Sequence, residues 1–224
     1  YANDSLRVLR GIRLAGSLRF ALTPETEALC KRHAPDLAAV SVERVRDELA
    51  LVLALPDAAA SLAYAAELGV LSVILPEFGH DAALLAQGTR AVAALEALVA
   101  PLWAEGSRAH VPPEDAAEVL VDYAAGLLDG WMQELTVGRT RWQACKLAAL
   151  LSVLPGGPAA AEQSARRLHL AKTEMRLLRG IIQGREILLH LAPNAELEPL
   201  EVYRYYRETG DAGPFAAVLC LALA

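Results

Sequence analysis

At 224 residues the chain is long enough for one large domain or two small ones with real cores. Hydrophobic residues make up 54% and aromatics only 5%, so the core must be built from Ala, Leu and Val, which predicts close-packed helices rather than sheets. The net charge of −6 opposes wholesale nucleic-acid binding, yet residues 51–138 hold 2 Lys/Arg against 12 Asp/Glu while residues 139–190 hold 9 against 3, which permits a local basic surface.

A first helix is predicted from about Ser5 to Ser17, with Asn3 or Asp4 available to cap it. Phe20 and Leu22 follow in a short extended link. Thr23-Pro24-Glu25 then opens a second helix with a capping hydroxyl, a first-turn proline and acids at the positive dipole end; it stops near His33, before Pro35. Ser41 opens a third, SVERVRDELALVLAL, whose Val42, Val45, Leu49 and Val52 share a face. Asp57 starts a fourth, ended by Gly69, and VLSVILPEF closes this half near residue 78. The remainder reads as helices at about 82–100, 114–129, 139–154, 159–169, 172–190 and 199–209, with a last apolar segment from Pro214. Breaks fall at Gly106, Pro112-Pro113, Gly138, Pro155-Gly156-Gly157-Pro158, Pro193 and Gly210. The expectation is an all-α protein in two parts, 1–78 and 79–224. No apolar run is read as long enough to cross a bilayer, and no signal-peptide pattern stands at the start. Cys30, Cys145 and Cys220 are isolated and odd in number, which points to free thiols in a reducing, cytoplasmic setting and away from disulfides or zinc.

The stretch NDSLRVLRGIRL places Asp4, Arg7, Arg10 and Arg13 three residues apart. On a helix such residues are neighbours, so Asp4 sits beside Arg7. A carboxylate only accepts hydrogen bonds and a guanidinium only donates them. Together they suit a planar ligand with an amine next to an unprotonated ring nitrogen, the pairing edge of adenine or cytosine. Guanine and uracil offer a carbonyl beside a ring N–H and would mismatch at both groups, which charge-assisted bonding makes expensive. The same spacing also serves a plain surface ion pair with extra arginines, which contributes little.

NDSLRVLRGIRLAGSLRFALTPETEALCKRHAP resembles the region after the catalytic head of class II tRNA nucleotidyltransferases and bacterial poly(A) polymerases, a family with a Glu-Asp-x-x-Arg motif, spaced arginines, a small turn, Phe and a Pro-Glu-Thr helix start. VSVERVRDELALVLALPDAAASLAYAAELGVLSVILPE is similar to that family's neck. The resemblance covers residues 1–78 densely. It implies that Asp4 and Arg7 select the base of incoming CTP or ATP, with Asn3 standing where the family commonly has Glu. It puts Arg44, Arg46, Asp47 and Glu48 on a helix that braces the selecting helix. Arg10, Arg13 and Arg19 become candidate phosphate contacts. Arg139, Arg141, Lys146, Arg166, Arg167, Lys172, Arg176 and Arg179 become candidate contacts to the acceptor-arm side of an RNA.

Residues 79–224 resemble the HD-type domain that follows the neck in many bacterial members, but without its metal ligands. His80-Asp81 lies too early, Gly88 replaces an expected histidine in AQGTRAV, and Ser152-Val153 stand where the His-Asp doublet would be in KLAALLSVLPGG. Serine and valine cannot replace those ligands. His110, His169 and His190 are scattered. The closing LEVYRYYRETG resembles the family's Tyr-Arg-Phe-Phe-Arg-x-Thr-Gly turn; Tyr203, Tyr205 and Tyr206 either stack on exposed bases or pack their own helix.

A Gly-Ser-like phosphate turn followed by an Asp-x-Asp pair, which nucleotide transfer needs to hold magnesium and phosphates, does not occur in the chain. The family keeps both in an α/β head, so the chain reads as a piece of something longer, without catalysis or cofactor of its own. Mg2+ and CTP or ATP are implied for the full-length enzyme. The expected function is base selection and RNA binding for a CCA-adding, A-adding or polyadenylating enzyme, with an RNA 3′ end as partner and no membrane role. An HD-type phosphohydrolase and a helical interaction module remain the alternatives.

Overall fold

Thirteen residues, Leu6–Leu18, form helix α1, and its apolar positions Leu6, Val8, Leu9, Ile12 and Ala15 all turn inward. The computed structural model describes residues 4–103, 120–191 and 197–224. Asn3, His110, the breaks at Gly106, Pro112-Pro113 and Pro193, and the first part of the expected 114–129 helix lie outside them.

The helices α2 (Pro24–His33), α3 (Val42–Leu53), α4 (Ala58–Glu67) and α5 (Val70–Ile74) follow the sequence-based boundaries closely. Thr23 Oγ1 accepts the Thr26 amide at 3.4 Å, and Asp57 Oδ1 accepts that of Ala60 at 3.3 Å, so both expected caps form. Neither Ser5 nor Ser41, the residues ahead of α1 and α3, caps with its side chain. Asp4 does not cap α1 either, because its carboxylate is drawn to Arg44.

The second part contains α6 (Ala82–Trp103), α7 (Ala124–Met132), α8 (Arg141–Leu151), α9 (Gly157–Arg167), α10 (Lys172–Leu191), α11 (Pro199–Thr209) and α12 (Gly213–Ala222). One departure from the all-helical expectation is a hairpin. Strand β1 (Glu134–Thr136) pairs antiparallel with β2 (Arg139–Thr140) across Val137-Gly138, where Gly138 takes φ 74°. The helix expected from 139 therefore starts at Arg141. Thr140 and Gln143 form a reciprocal capping box at that point, which ends the strand and starts the helix within one residue.

Helix α6 also corrects the reading of the apolar runs: its 22 residues are long and apolar enough, by length and composition alone, to cross a membrane. It packs instead against α4 and α8, and its Glu96 carboxylate sits in a buried ion pair. Its Gly88 explains why no histidine stands there. A Cβ on Gly88 would lie 2.8 Å from the Leu150 carbonyl oxygen, so α6 and α8 approach too closely for any side chain. Gly180 and Gly184 do the same for α10, where added Cβ atoms would lie 2.7 Å from those of Ala212 and Ala216.

A continuous set of buried apolar residues runs from Leu6 to Leu219 through both halves of the chain. Polar ties cross the same seam. Gln143 Nε2 donates to the Ala50 carbonyl at 2.9 Å, and Arg167 donates to Glu77 at 2.7 and 2.9 Å and to the Ile74 carbonyl at 2.9 Å.

Two outcomes test this packing. Gly88→Ala should lower the urea unfolding free energy by about 1–3 kcal/mol through overpacking. Gly126→Ala, on an exposed turn of α7 with nothing near the added methyl, should raise it by about 0.5–1 kcal/mol. A third concerns acid. Burial pushes the Glu77 carboxyl up, but hydrogen bonds from Arg167 and the backbone, with the guanidinium charge, together hold it below its ordinary value. A depressed carboxyl contributes stability above its unfolded pKa and loses it as pH falls through the folded one. Stability should therefore drop as pH falls below about 4.3, and Glu77→Gln should flatten that slope in pH-dependent urea titrations.

Candidate nucleotide and RNA interface

Arg7 and Arg10 are both exposed on α1, and Arg10, with Arg13, reaches across to α3 and holds α1 in place. Glu48 of α3 is buried, and its two oxygens accept Arg10 Nε at 2.6 Å and Arg13 Nε at 3.0 Å. One turn earlier on α3, Arg44 Nη2 donates to Asp4 Oδ1 at 3.0 Å, while Arg10 Nη1 lies 3.9 Å from Asp4 Oδ2. The charges alternate: Arg44, Asp4, Arg10, Glu48, Arg13. The hydrogen bond to Glu48 and its charge raise the Arg10 pKa above its ordinary value.

Arg7 stands apart from this ladder. Its amide donates to the Asp4 carbonyl at 3.1 Å, so the two residues are one turn apart, but its exposed side chain makes no ion pair among the described residues. The i,i+3 pairing of Asp4 with Arg7 does not form. Asp4 turns to Arg44 instead and leaves the Arg7 guanidinium free to donate elsewhere.

Of the four residues read as bracing, Arg44 and Glu48 hold α1. Arg46 and Asp47 reach the second half instead. Arg46 Nη1 donates to the His169 carbonyl at 2.9 Å. Asp47 accepts from Arg46 at 2.9 Å and from Arg139 at 3.1 Å.

The candidate phosphate contacts divide sharply. Lys146 is fully buried: its Nζ lies 2.6 Å from Glu96 Oε1 and 2.6 Å from the Leu55 carbonyl, over the Trp142 ring. Desolvation pulls its pKa below the ordinary lysine value, against the opposing pull of Glu96. It presents no charge to a ligand, and its assignment as a phosphate contact is corrected on that ground. Arg139 forms a two-pronged pair with the buried Glu174 at 2.7 and 3.2 Å, and Arg167 is held by Glu77. Arg139 ties the hairpin to α10 and Arg167 ties α9 to the Pro76–Phe78 turn, as Arg10 and Arg13 tie α1 to α3 at Glu48. Arg19 is exposed at the C-terminal cap of α1 in the left-handed region, and Arg166 is exposed beside Glu162.

The rest converge. Arg141, Lys172, Arg176 and Arg179 line a groove of about 760 Å³ between α10, the end of α11 and the hairpin. Arg207 joins them from α11. Sequence reasoning missed it because it lies beyond the net-positive 139–190 segment; the available signal was the Thr209-Gly210 turn, which folds the end of α11 back beside α10. Of the three tyrosines, Tyr205 is buried and donates to the Gly213 carbonyl at 2.6 Å, so it packs its helix, while Tyr203 and Tyr206 are exposed.

Among the described residues, the positions compared with HD-domain ligands serve other contacts. Ser152 Oγ donates to the Ala149 carbonyl at 2.8 Å, Val153 packs against the core, and Asp81 caps α6 through the Ala83 and Leu84 amides. Among the described residues no three His, Cys, Asp or Glu side chains gather where they could hold a metal.

Residues 19–81 match a family model described as "Probable RNA and SrmB- binding site of polymerase A". A CC-adding tRNA nucleotidyltransferase of Geobacter sulfurreducens is 32% identical over 222 residues, which is 99% of this chain and 46% of the relative. A CCA-adding enzyme of Geobacillus stearothermophilus is 42% identical over 76 residues, 34% of this chain and 19% of the relative. An A-adding tRNA nucleotidyltransferase of Deinococcus radiodurans is 39% identical over 90 residues, 38% of this chain and 21% of the relative. The chain thus matches a neck-and-body part of the tRNA nucleotidyltransferase and poly(A) polymerase family, and it spans about half the length of the Geobacter sulfurreducens relative.

Removing one partner of the buried Lys146–Glu96 pair leaves the other charge uncompensated. Lys146→Ala should therefore cost about 3 kcal/mol of stability in urea titration.

Proposed function

We propose that this chain supplies base selection and RNA holding to a tRNA nucleotidyltransferase or poly(A) polymerase-type enzyme, in the cytoplasm, alongside a catalytic head that brings Mg2+ and CTP or ATP. The observation that carries the reading is the unequal fate of the first two charges. Asp4 is partly exposed, its Oδ1 held by Arg44 at 3.0 Å and its Oδ2 3.9 Å from Arg10 and so beyond hydrogen-bond length, while Arg7, one turn on, remains exposed and unpaired among the described residues. An Asp–Arg pair bonded to itself would have little left for a ligand. Here the carboxylate can accept from an exocyclic amine and the guanidinium can donate to a ring nitrogen. Adenine and cytosine satisfy both groups; guanine and uracil leave each facing its own kind, a mismatch at charged hydrogen bonds.

In this reading Arg44 is a positioning residue that acts through Asp4, and Glu48 sets the rotation of α1 that turns Arg7 outward. The exposed basic side chains further along the chain hold the RNA by its phosphates, in a salt-dependent manner. Support comes from the 19–81 match and from relatives whose names state CC-, CCA- and A-adding activity.

The test joins the chain in cis to a catalytic head and measures incorporation of each nucleotide onto an RNA 3′ end. CTP or ATP should be preferred over GTP and UTP. Asp4→Ala and Arg7→Ala should each lower that preference by about 10- to 100-fold, the worth of one hydrogen bond to a charged group. An equal response to all four nucleotides in the unaltered protein would refute the base-pair mimicry.

A further inference from the structure

We propose that the groove between α10, the end of α11 and the β1–β2 hairpin holds the phosphate backbone of a polynucleotide strand, with Lys172, Arg176 and Arg207 as its principal cations. The inference rests on the RNA-holding reading and gives that role a place.

Three features of the groove support it. The first is an excess of positive charge. Its lining holds Arg141, Lys172, Arg176, Arg179 and Arg207 against Glu162, Glu208 and Asp211, on a protein that is acidic as a whole. Arg179 is paired with Glu162 at 3.3 Å, but Lys172, Arg176 and Arg207 make no ion pair among the described residues. Cations gathered in one concavity repel one another, and an anion relieves that repulsion. The second is an unmatched donor in the wall. Arg141 Nε is buried without a hydrogen-bond partner among the described residues, and its Nη2 lies 3.7 Å from the exposed Asp211, beyond hydrogen-bond length.

The third is shape. Lys172, Arg176, Arg179 and Gln183 line the groove from successive turns of α10. At about 1.5 Å per residue they extend over roughly 16 Å of helix. A single phosphate or pyrophosphate would meet one turn of that row. A strand, with a phosphate about every 3.4 Å of axial rise, would meet all of it. No aromatic ring lines the groove among the described residues, so it offers bases no stacking platform. The chemistry therefore reads phosphates and is indifferent to sequence.

The experiment uses the full chain and a fluorescent RNA hairpin with a single-stranded 3′ end, followed by anisotropy over a salt series. The variant is Lys172→Gln/Arg176→Gln/Arg207→Gln, three exposed positions whose change should leave the thermal midpoint in place. Expected is a loss of affinity of about tenfold or more at low salt, with the slope of log affinity against log salt reduced by about 2 to 3. Arg90→Gln, an exposed cation on α6, should leave both unchanged. If the triple variant keeps the affinity and slope of the unaltered chain, the groove assignment fails while the RNA reading stands. If the unaltered chain does not bind the hairpin, the RNA reading itself fails. If sodium pyrophosphate binds and the triple variant loses that binding but not RNA, the groove is a small-anion site and the proposal is overturned.

Discussion

The carboxylate of Glu48 fixes which way the first helix faces. It is buried on α3, where an ionised acid without partners would be strongly unfavourable, and it takes Arg10 and Arg13 together. Those two arginines lie one turn apart, so a single acid sets both the rotation and the height of α1. With Arg10 and Arg13 drawn toward α3 and the apolar stripe inward, Arg7 has only the outer face left. The ion pair one turn earlier, Arg44 with Asp4, extends the same geometry to the end of the helix. A brace made of charges has a functional consequence here, because it decides which of four similar polar residues remain open to a ligand.

A second set of polar contacts unites the segments before and after residue 78. Asp47 and Glu174 share Arg139, Gln143 reaches a backbone carbonyl of α3, and Lys146 reaches that of Leu55. Since these cross between segments far apart in sequence, and since apolar side chains from both sides meet in a continuous core, α1 and the basic groove are carried on common packing. The helices after residue 78 contribute to this packing. Gly88 lets α6 lie against the backbone of α8, which leaves no room for a side chain at that position.

The helices were largely legible because each was marked by its own residues. Thr23 and Asp57 cap as their types suggest, and the inward positions of α1 and α3 follow the 3.6-residue period. The hairpin was not, because a strand pair as short as Glu134–Thr136 with Arg139–Thr140 leaves no periodic signal, and Arg139 looks like the start of the helix that follows. Asp4 and Arg7 stood out by spacing, although the spacing also suggested a bond between them that does not form. The basic residues of 139–190 looked alike as letters. Lys146 is enclosed by Glu96 and Trp142, Arg139 is fastened to Glu174, and Lys172 and Arg176 are open to solvent.

What the amino-acid order determined alone is whatever depends on near neighbours: helix positions, caps and breaks, the all-helical class, and the acid and guanidinium one turn apart. What only the tertiary structure decided is the partner of the charges that hold the fold together, because pairs such as Arg13–Glu48 and Arg139–Asp47 join residues 35 to 92 positions apart. Local periodicity cannot encode which distant carboxylate a guanidinium will meet. Folding made that choice, leaving Arg7 and the α10 groove exposed while it consumed Lys146, Arg139 and Arg167 in the seam.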